Sequence, residues 1–360
     1  HVFDSFFHPF YDRYNLRLIF TDWKDMKSAF CCILHWKEGF HMKICVYNLR
    51  DDEKKYFRFW EKNLPVELVV SEEDPSMDNL TLAGGCEGVS VLGQISIGED
   101  LMNSWKSLGV KYLSTRTIGY DHIDIEYARK IGLRVCNVRY SPNGVADFTI
   151  MLMLMCLRNY KQALWRGQVN DFSLFGLQGR EMKSMTVGVM GTGNIGRVVI
   201  QDLEGFGCRI LAYDVHQNDW TREHAVYVSL DQLFAESDII TLHLPLLDST
   251  RHIINESNIC KMKDGVVIIN CARGELADLN ALIKGIESTK IGALGLDVIE
   301  GEEGIAHVDH RVDIISNQKM AYLRQFRNVV MTQHMAFYTE EAVNDMVKYG
   351  LSGILDMAAN

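Results

Sequence analysis

Residues 186–196 read TVGVMGTGNIG, an apolar run that leads straight into glycines at 191, 193 and 196. Few folds accommodate that order of residues. A short apolar run bounded by glycine reads as a buried strand. A strand that turns at once into a helix needs glycine where the chain reverses and where helix and strand touch. Gly191 would serve the tight turn, Gly193 would let backbone approach a pyrophosphate, and Gly196 would let helix and strand pack closely. The helix, expected from about Ile195 to Phe206, would offer its unpaired first-turn N–H groups to the anion. The next apolar run, 209-RILAY-213, ends in Asp214, 18 residues beyond Gly196. An acid at about that distance accepts hydrogen bonds from the ribose of an adenine dinucleotide. Its charge would also repel a 2′-phosphate, and Val215, His216 and Gln217 supply no arginine after it. NAD is therefore expected rather than NADP. A glycine turn without a ligand explains the glycines but not the strand, helix, strand and acid in this order.

The motif sits in a series of strands. From 186 onward these are 186–190, 209–213, 238–242, 265–270, 292–297 and 329–332, six strands of a doubly wound sheet. Before it lie 43–47, 66–70, 88–92, 110–114 and 134–138, separated by polar or amphipathic stretches such as 51-DDEKKYFRFWEKNL-64. Strands that alternate with helices imply parallel sheets. Pro142, Asn143 and Gly144 punctuate the junction, and a long helix is expected from about Ala146 to Arg158. The fold class is α/β, with two Rossmann-like, doubly wound parallel-sheet domains. A length of 360 residues suits two domains.

Composition narrows the functions. Asp and Glu outnumber Lys and Arg by 47 to 37, so a nucleic-acid partner is not expected. The longest apolar run, 148-FTIMLMLMCL-157, is about half a membrane span, and no secretory signal is recognisable. The nine cysteines contain no C-x-x-C pair and no zinc spacing. They read as free thiols in a reducing compartment, by default the cytoplasm, and no metal site is expected. Residues 1–41 hold eleven aromatic residues and the other 319 only 25. This segment is expected to be an extension, with the compact fold starting near Met42.

Three later strand ends carry chemistry. Arg273 follows 265–270, Asp297, Glu300, Glu302 and Glu303 follow the strand at 292, and His334 follows 329–332. Ligands of open α/β sheets bind beyond the carboxyl ends of strands. Reduction of a 2-keto acid needs a cation for the carboxylate and the ketone, and arginine supplies a bidentate fork. It also needs a proton donor near neutral pH, which histidine can be. A carboxylate beside that histidine stabilises the imidazolium. Each residue alone could be a solvated turn residue or a structural histidine; beside a dinucleotide motif, the set reads as catalytic.

The motifs 115-TRTIGYDHID-124, 140-YSPNGVAD-147, GTGNIG, 241-TLHLPL-246, 270-NCARGELAD-278, 296-LDVIEGEE-303 and 334-HMAFYT-339 resemble those of the D-isomer-specific 2-hydroxyacid dehydrogenases, in particular the D-lactate dehydrogenase branch. The resemblance covers nearly all of 42–360 and none of 1–41. It implies that Arg273 binds and orients the substrate, that Glu302 rather than Glu300 or Glu303 partners the histidine, and that His334 is the acid/base. It implies cofactor contacts from Asn194, Ile195, Asp214, Leu244, Pro245, Thr250, Cys271, Ala272 and Arg273, with Asp297 holding the nicotinamide carboxamide. Tyr140 and Phe337 would line the substrate pocket, and the turn at Leu92–Gly93 would offer backbone N–H groups to the substrate carboxylate.

The resemblance also implies an architecture. Residues 42–141, completed by 335–360, would form the substrate domain and 142–334 the NAD domain, with the active site in the cleft between them. The stretch 151–157 would lie at a homodimer interface, or else be a buried core helix. Gln333 departs from the family, which usually has proline before the catalytic histidine. The implied activity is NADH-dependent reduction of a 2-keto acid, pyruvate first, with phenylpyruvate or 2-ketoisocaproate as alternatives. A non-enzymatic, NADH-sensing corepressor-like module on the same fold is the competing reading.

Overall fold

The computed structural model describes residues 41–93 and 95–359. All but the last residue of the expected N-terminal extension lies outside them. The chain forms two compact units. One runs up to Tyr140 and resumes at Val343; the other is Ser141–Ala342. The return to the first unit therefore comes later than 335, and Phe337 belongs with the second.

The first unit is a five-stranded parallel sheet in the order β2-β1-β3-β4-β5. Its strands are β1 (Met42–Val46), β2 (Val66–Val70), β3 (Gly88–Val91), β4 (Tyr112–Thr115) and β5 (Arg134–Asn137). The period of two in β1 distributes its side chains. Ile44 and Val46 face Phe57 and Trp60 of α1 (Lys54–Asn63) and Val347, Leu351 and Ile354 of the C-terminal helix. Cys45 and Tyr47 face Met102 and Trp105 of α2 (Glu99–Ser107), with Ala128 of α3 (Ile125–Lys130) in the same cluster.

The second unit is a seven-stranded parallel sheet, β12-β11-β10-β9-β6-β7-β8. The six expected strands are present: β6 (Thr186–Met190), β7 (Arg209–Tyr213), β9 (Ile239–Leu242), β10 (Val266–Asn270), β11 (Ile291–Leu296) and β12 (Val329–Met331). A seventh, β8 (Val226–Tyr227), extends the edge beside β7. Two residues are too short a run to stand out by periodicity. The central strands read as nearly unbroken apolar runs because helices cover both faces; all five residues of β10 are buried. The helix α4 (Asn143–Leu157) starts earlier than its apolar run suggests. Its Leu152, Met153, Cys156 and Leu157 join this unit's own core, so the stretch 151–157 is mainly core. Among the described residues no helix is long and apolar enough to cross a membrane.

Strand order reverses between β6 and β9. The chain moves outward from β6 through β7 to β8, then restarts at β9 and proceeds the other way. Such a reversal opens a crevice beyond the strand carboxyl ends, and the glycine turn lies there.

Candidate active site

The glycine turn leaves β6 and enters α6 (Asn194–Glu204), with Gly193 as its N-cap. Gly191 has φ +95°, and a Cβ there would come within 2.4 Å of the His243 carbonyl oxygen. A Cβ at Gly196 would meet the Gly191 oxygen at 2.0 Å, whereas at Gly193 it would meet nothing within 4 Å. The turn is thus closed on its inner side and open where a phosphate would lie, against a helix N-terminus. Asp214 is fixed beside it. Its Oδ2 accepts from the Thr192 N–H at 2.6 Å and the Thr192 hydroxyl at 3.1 Å, and its Oδ1 from the His216 N–H at 2.8 Å. These groups fit an NAD pyrophosphate and ribose.

The other expected cofactor residues surround the same strand ends. Leu244, Pro245 and Thr250 form the loop after β9, closed by the Thr250 hydroxyl donating to the Pro245 carbonyl at 2.6 Å. Just before them His243 donates its N–H to the Met190 oxygen at 2.7 Å, and burial lowers its imidazole to about 4. Cys271 and Ala272 follow β10, and the Ala272 N–H donates to Asn270 Oδ1 at 3.0 Å. Burial, aided by the charge of Asp297, raises the Cys271 thiol far above its ordinary range. Asn194 accepts from Arg197 at 2.8 Å, and Ile195 is half-buried.

Strands β10, β11 and β12 are neighbours in register, Asn270 beside Leu296 and Leu296 beside Met331. Arg273, Asp297 and His334 therefore emerge from adjacent strand ends. His334 Nδ1 lies 2.7 Å from Glu302 Oε1, and Glu302 Oε2 accepts the Ile299 N–H at 2.9 Å. A carboxylate only accepts, so Nδ1 carries the proton in the neutral ring and Nε2 is the nitrogen without one. Glu300 instead meets His252 at 2.7 Å, and Glu303 is exposed. The Arg273 Nη1 donates to the Ala272 oxygen at 2.7 Å, while Asn270 Nδ2 donates to the Arg273 carbonyl at 2.8 Å. A Cβ at Gly274 would lie 2.2 Å from the Ile299 carbonyl carbon; glycine lets the arginine loop press against the loop that carries Glu302.

His334 sits in the left-handed region, at φ +57°, and Asp297 holds it there. The His334 N–H donates to the Asp297 carbonyl at 2.9 Å. The Asp297 carboxylate, 1% exposed, accepts from the Met335 N–H (2.9 Å), the Ala336 N–H (2.8 Å) and the Thr332 hydroxyl (2.6 Å). The His334 carbonyl meets His307 Nε2 at 2.9 Å, and the Phe337 ring stands edge-on to the His334 ring at 6.4 Å. Sequence reasoning missed Thr332, His307 and this second task of Asp297. No spacing rule signals them, because Asp297 and His307 act on the turn's backbone and Thr332 acts only through the Asp297 carboxylate.

Residues 150–336 match the family "D-isomer specific 2-hydroxyacid dehydrogenase, NAD binding domain". The chain is 43% identical over 317 residues to an aromatic 2-oxoacid reductase of Clostridium sporogenes, covering 87% of this chain and 95% of the relative. The chain belongs to the D-isomer specific 2-hydroxyacid dehydrogenase family. The pyruvate reductase of Chlamydomonas reinhardtii superposes with a TM-score of 0.82 at 36% identity, over 88% of this chain and 96% of that one. The NAD-complexed D-isomer specific 2-hydroxyacid dehydrogenase of Lactobacillus delbrueckii ssp. bulgaricus superposes with a TM-score of 0.76 at 32% identity, over 88% and 97%.

As a member of this family of NAD-dependent oxidoreductases, the chain takes NAD. In this 2-hydroxyacid dehydrogenase the proline usual before the histidine is replaced by the exposed Gln333, and the Asp297 bonds fix the turn instead. In the first unit the Leu92 N–H, expected to be offered to the substrate carboxylate, donates to Asn48 Oδ1 at 3.3 Å. Asn48 is tied in turn to Asp74. Gly93 adjoins Leu92 in the turn after β3, and Tyr140 closes this unit's first stretch of chain.

Proposed function

We propose that this dehydrogenase reduces a 2-oxo acid to the D-2-hydroxy acid, with pyruvate as first substrate and larger 2-oxo acids as the alternative. The 2.7 Å contact between His334 Nδ1 and Glu302 carries the reading. NADH supplies the hydride when bound; Gly191, Gly193, Gly196 and Asp214 would hold its diphosphate and ribose. The Arg273 guanidinium grips the substrate carboxylate and polarises the carbonyl. His334 Nε2 delivers the proton to the carbonyl oxygen, while Glu302 stabilises the imidazolium before transfer. Phe337, edge-on to the His334 ring, completes the substrate contacts in the second unit. Similarity to relatives named for aromatic 2-oxoacids and for pyruvate supports the substrate class at both sizes.

The protein acts as a homodimer in this reading. Helix α5 (Tyr160–Gln168) and the loop after it expose Trp165, Phe172, Leu174 and Phe175, the last three at 80–88%. So large an apolar group on one element marks an association surface.

A panel of 2-oxo acids with NADH and NADPH tests the substrate. Turnover of pyruvate above phenylpyruvate and 2-ketoisocaproate is expected; the reverse order selects the alternative. No turnover of any 2-oxo acid, despite NADH binding, would favour a corepressor-like module.

A further inference from the structure

We infer that Tyr227, on the two-residue edge strand β8, is a positioning residue that sets the discrimination between NADH and NADPH by locking Asp214 through Thr192. The inference rests on the assignment of Asp214 to the adenosine ribose.

The proton inventory gives the network a direction. Thr192 is the residue between the first two glycines of the turn and is 2% exposed. Its hydroxyl lies 3.1 Å from Asp214 Oδ2 and 2.7 Å from the Tyr227 hydroxyl. A carboxylate only accepts, and a hydroxyl has one proton. Thr192 therefore spends its proton on Asp214, so Tyr227 must donate to Thr192. The Tyr227 oxygen is then left to accept, and the Asn218 N–H (3.2 Å) and Nδ2 (3.3 Å) donate to it. Asn218 Nδ2 also reaches the Thr192 carbonyl at 3.2 Å. The donors run one way, from Asn218 through Tyr227, and by a longer direct contact of 3.3 Å, to the Thr192 hydroxyl and on to Asp214.

Register explains why β8 exists. Ala212 pairs with Tyr227, placing the phenol beside the end of β7, where Asp214 begins. Repulsion of a 2′-phosphate requires the carboxylate to stay where the phosphate must go. A carboxylate free to rotate would swing aside and admit NADPH at little cost. Two bonds from Thr192 and one from the His216 N–H remove that freedom, and Tyr227 orients the Thr192 hydroxyl that makes one of them. Charge at Asp214 supplies the repulsion; the chain behind it keeps the charge in place.

Tyr227→Phe deletes the donor and keeps the ring, including its contact with the Arg222 guanidinium 5.5 Å away. Dissociation constants for NADH and NADPH, measured by nucleotide fluorescence on the full-length protein, give the readout. The NADPH-to-NADH ratio of constants should fall about fivefold to tenfold, the size of one net hydrogen bond. In an Asp214→Ala background, where the ratio is already relaxed, Tyr227→Phe should change it no further. Should Tyr227→Phe not fold by circular dichroism, Thr192→Val replaces it, with Thr192→Ser expected to restore the wild-type ratio. An unchanged ratio in Tyr227→Phe, or an equal fall in both backgrounds, overturns the inference. An unchanged ratio in Asp214→Ala alone overturns the ribose assignment as well, and so separates the two failures.

Discussion

His334 adopts a backbone conformation that costs a non-glycine residue about 1–3 kcal/mol. The structure meets that cost with four hydrogen bonds accepted by Asp297, from His334 itself and from its neighbours Thr332, Met335 and Ala336, and with one contact from His307. The imidazole is thereby aimed by backbone, and Glu302 selects which of its nitrogens holds the structural proton. Glu302→Gln keeps an acceptor for Nδ1 but loses the charge that favours imidazolium. It should lower kcat at least about tenfold, with the NADH dissociation constant changed less than twofold; stopped-flow turnover and fluorescence titration check both. A second residue governs acid stability. Burial lowers His243 to about 4, while an unfolded histidine titrates near 6.5. The unfolded chain then binds the proton first, so stability present above pH 6.5 is lost as pH falls from 6.5 toward 4. The slope from this group is at most about 1.4 kcal/mol per pH unit. His243→Gln should flatten the melting temperature over that window; an unaltered slope would assign the acid sensitivity elsewhere.

Among the elements, the first sheet is tied at its carboxyl edge by one buried pair. Arg116, just beyond β4, and Glu53, just before α1, are both fully buried and 2.9 Å apart. The guanidinium also donates to the Tyr47 and Asn48 carbonyls and to Ser90, so it joins the ends of β1, β3 and β4. Removal of one partner strands a buried charge, at about 3–5 kcal/mol. Arg116→Met should cost that much in urea unfolding of the first unit; a loss below about 1 kcal/mol would show the pair to be dispensable. Neither member was legible beforehand, since Glu53 reads as one charge in an amphipathic stretch and Arg116 as part of a loop. The strands were legible, because both faces are covered and several of their apolar runs, such as those of β6, β7, β10 and β11, stop at glycine, asparagine or aspartate. Strand β8 was not, because two residues cannot show a period; its pairing with β7 makes it a strand. The separation of Glu302 from Glu300 came from the resemblance, since spacing alone left the three glutamates open. The engaged Leu92 amide was invisible because its partner, Asn48, lies far away in sequence.

At the scale of the whole molecule, the chain passes between its two units at Tyr140–Ser141 and again at Ala342–Val343. The groups proposed to hold the cofactor and to give the proton lie in the second unit, and its α5 and the loop after it carry the exposed apolar group assigned to dimer contact. Sedimentation at micromolar concentration should give a dimer of the 41.1 kDa chain. Phe175→Glu with Leu174→Glu should shift it to monomer, and a monomeric wild-type protein would refute the interface.

The central claim is that the histidine at the end of β12 gives the proton. Its direct test is His334→Ala, with NADH binding and single-turnover reduction of pyruvate measured on one preparation. The account predicts NADH affinity within about twofold of wild type and turnover slowed by about 10²–10⁴, the usual worth of a positioned general acid. Turnover within tenfold of wild type, with NADH still bound, would contradict it.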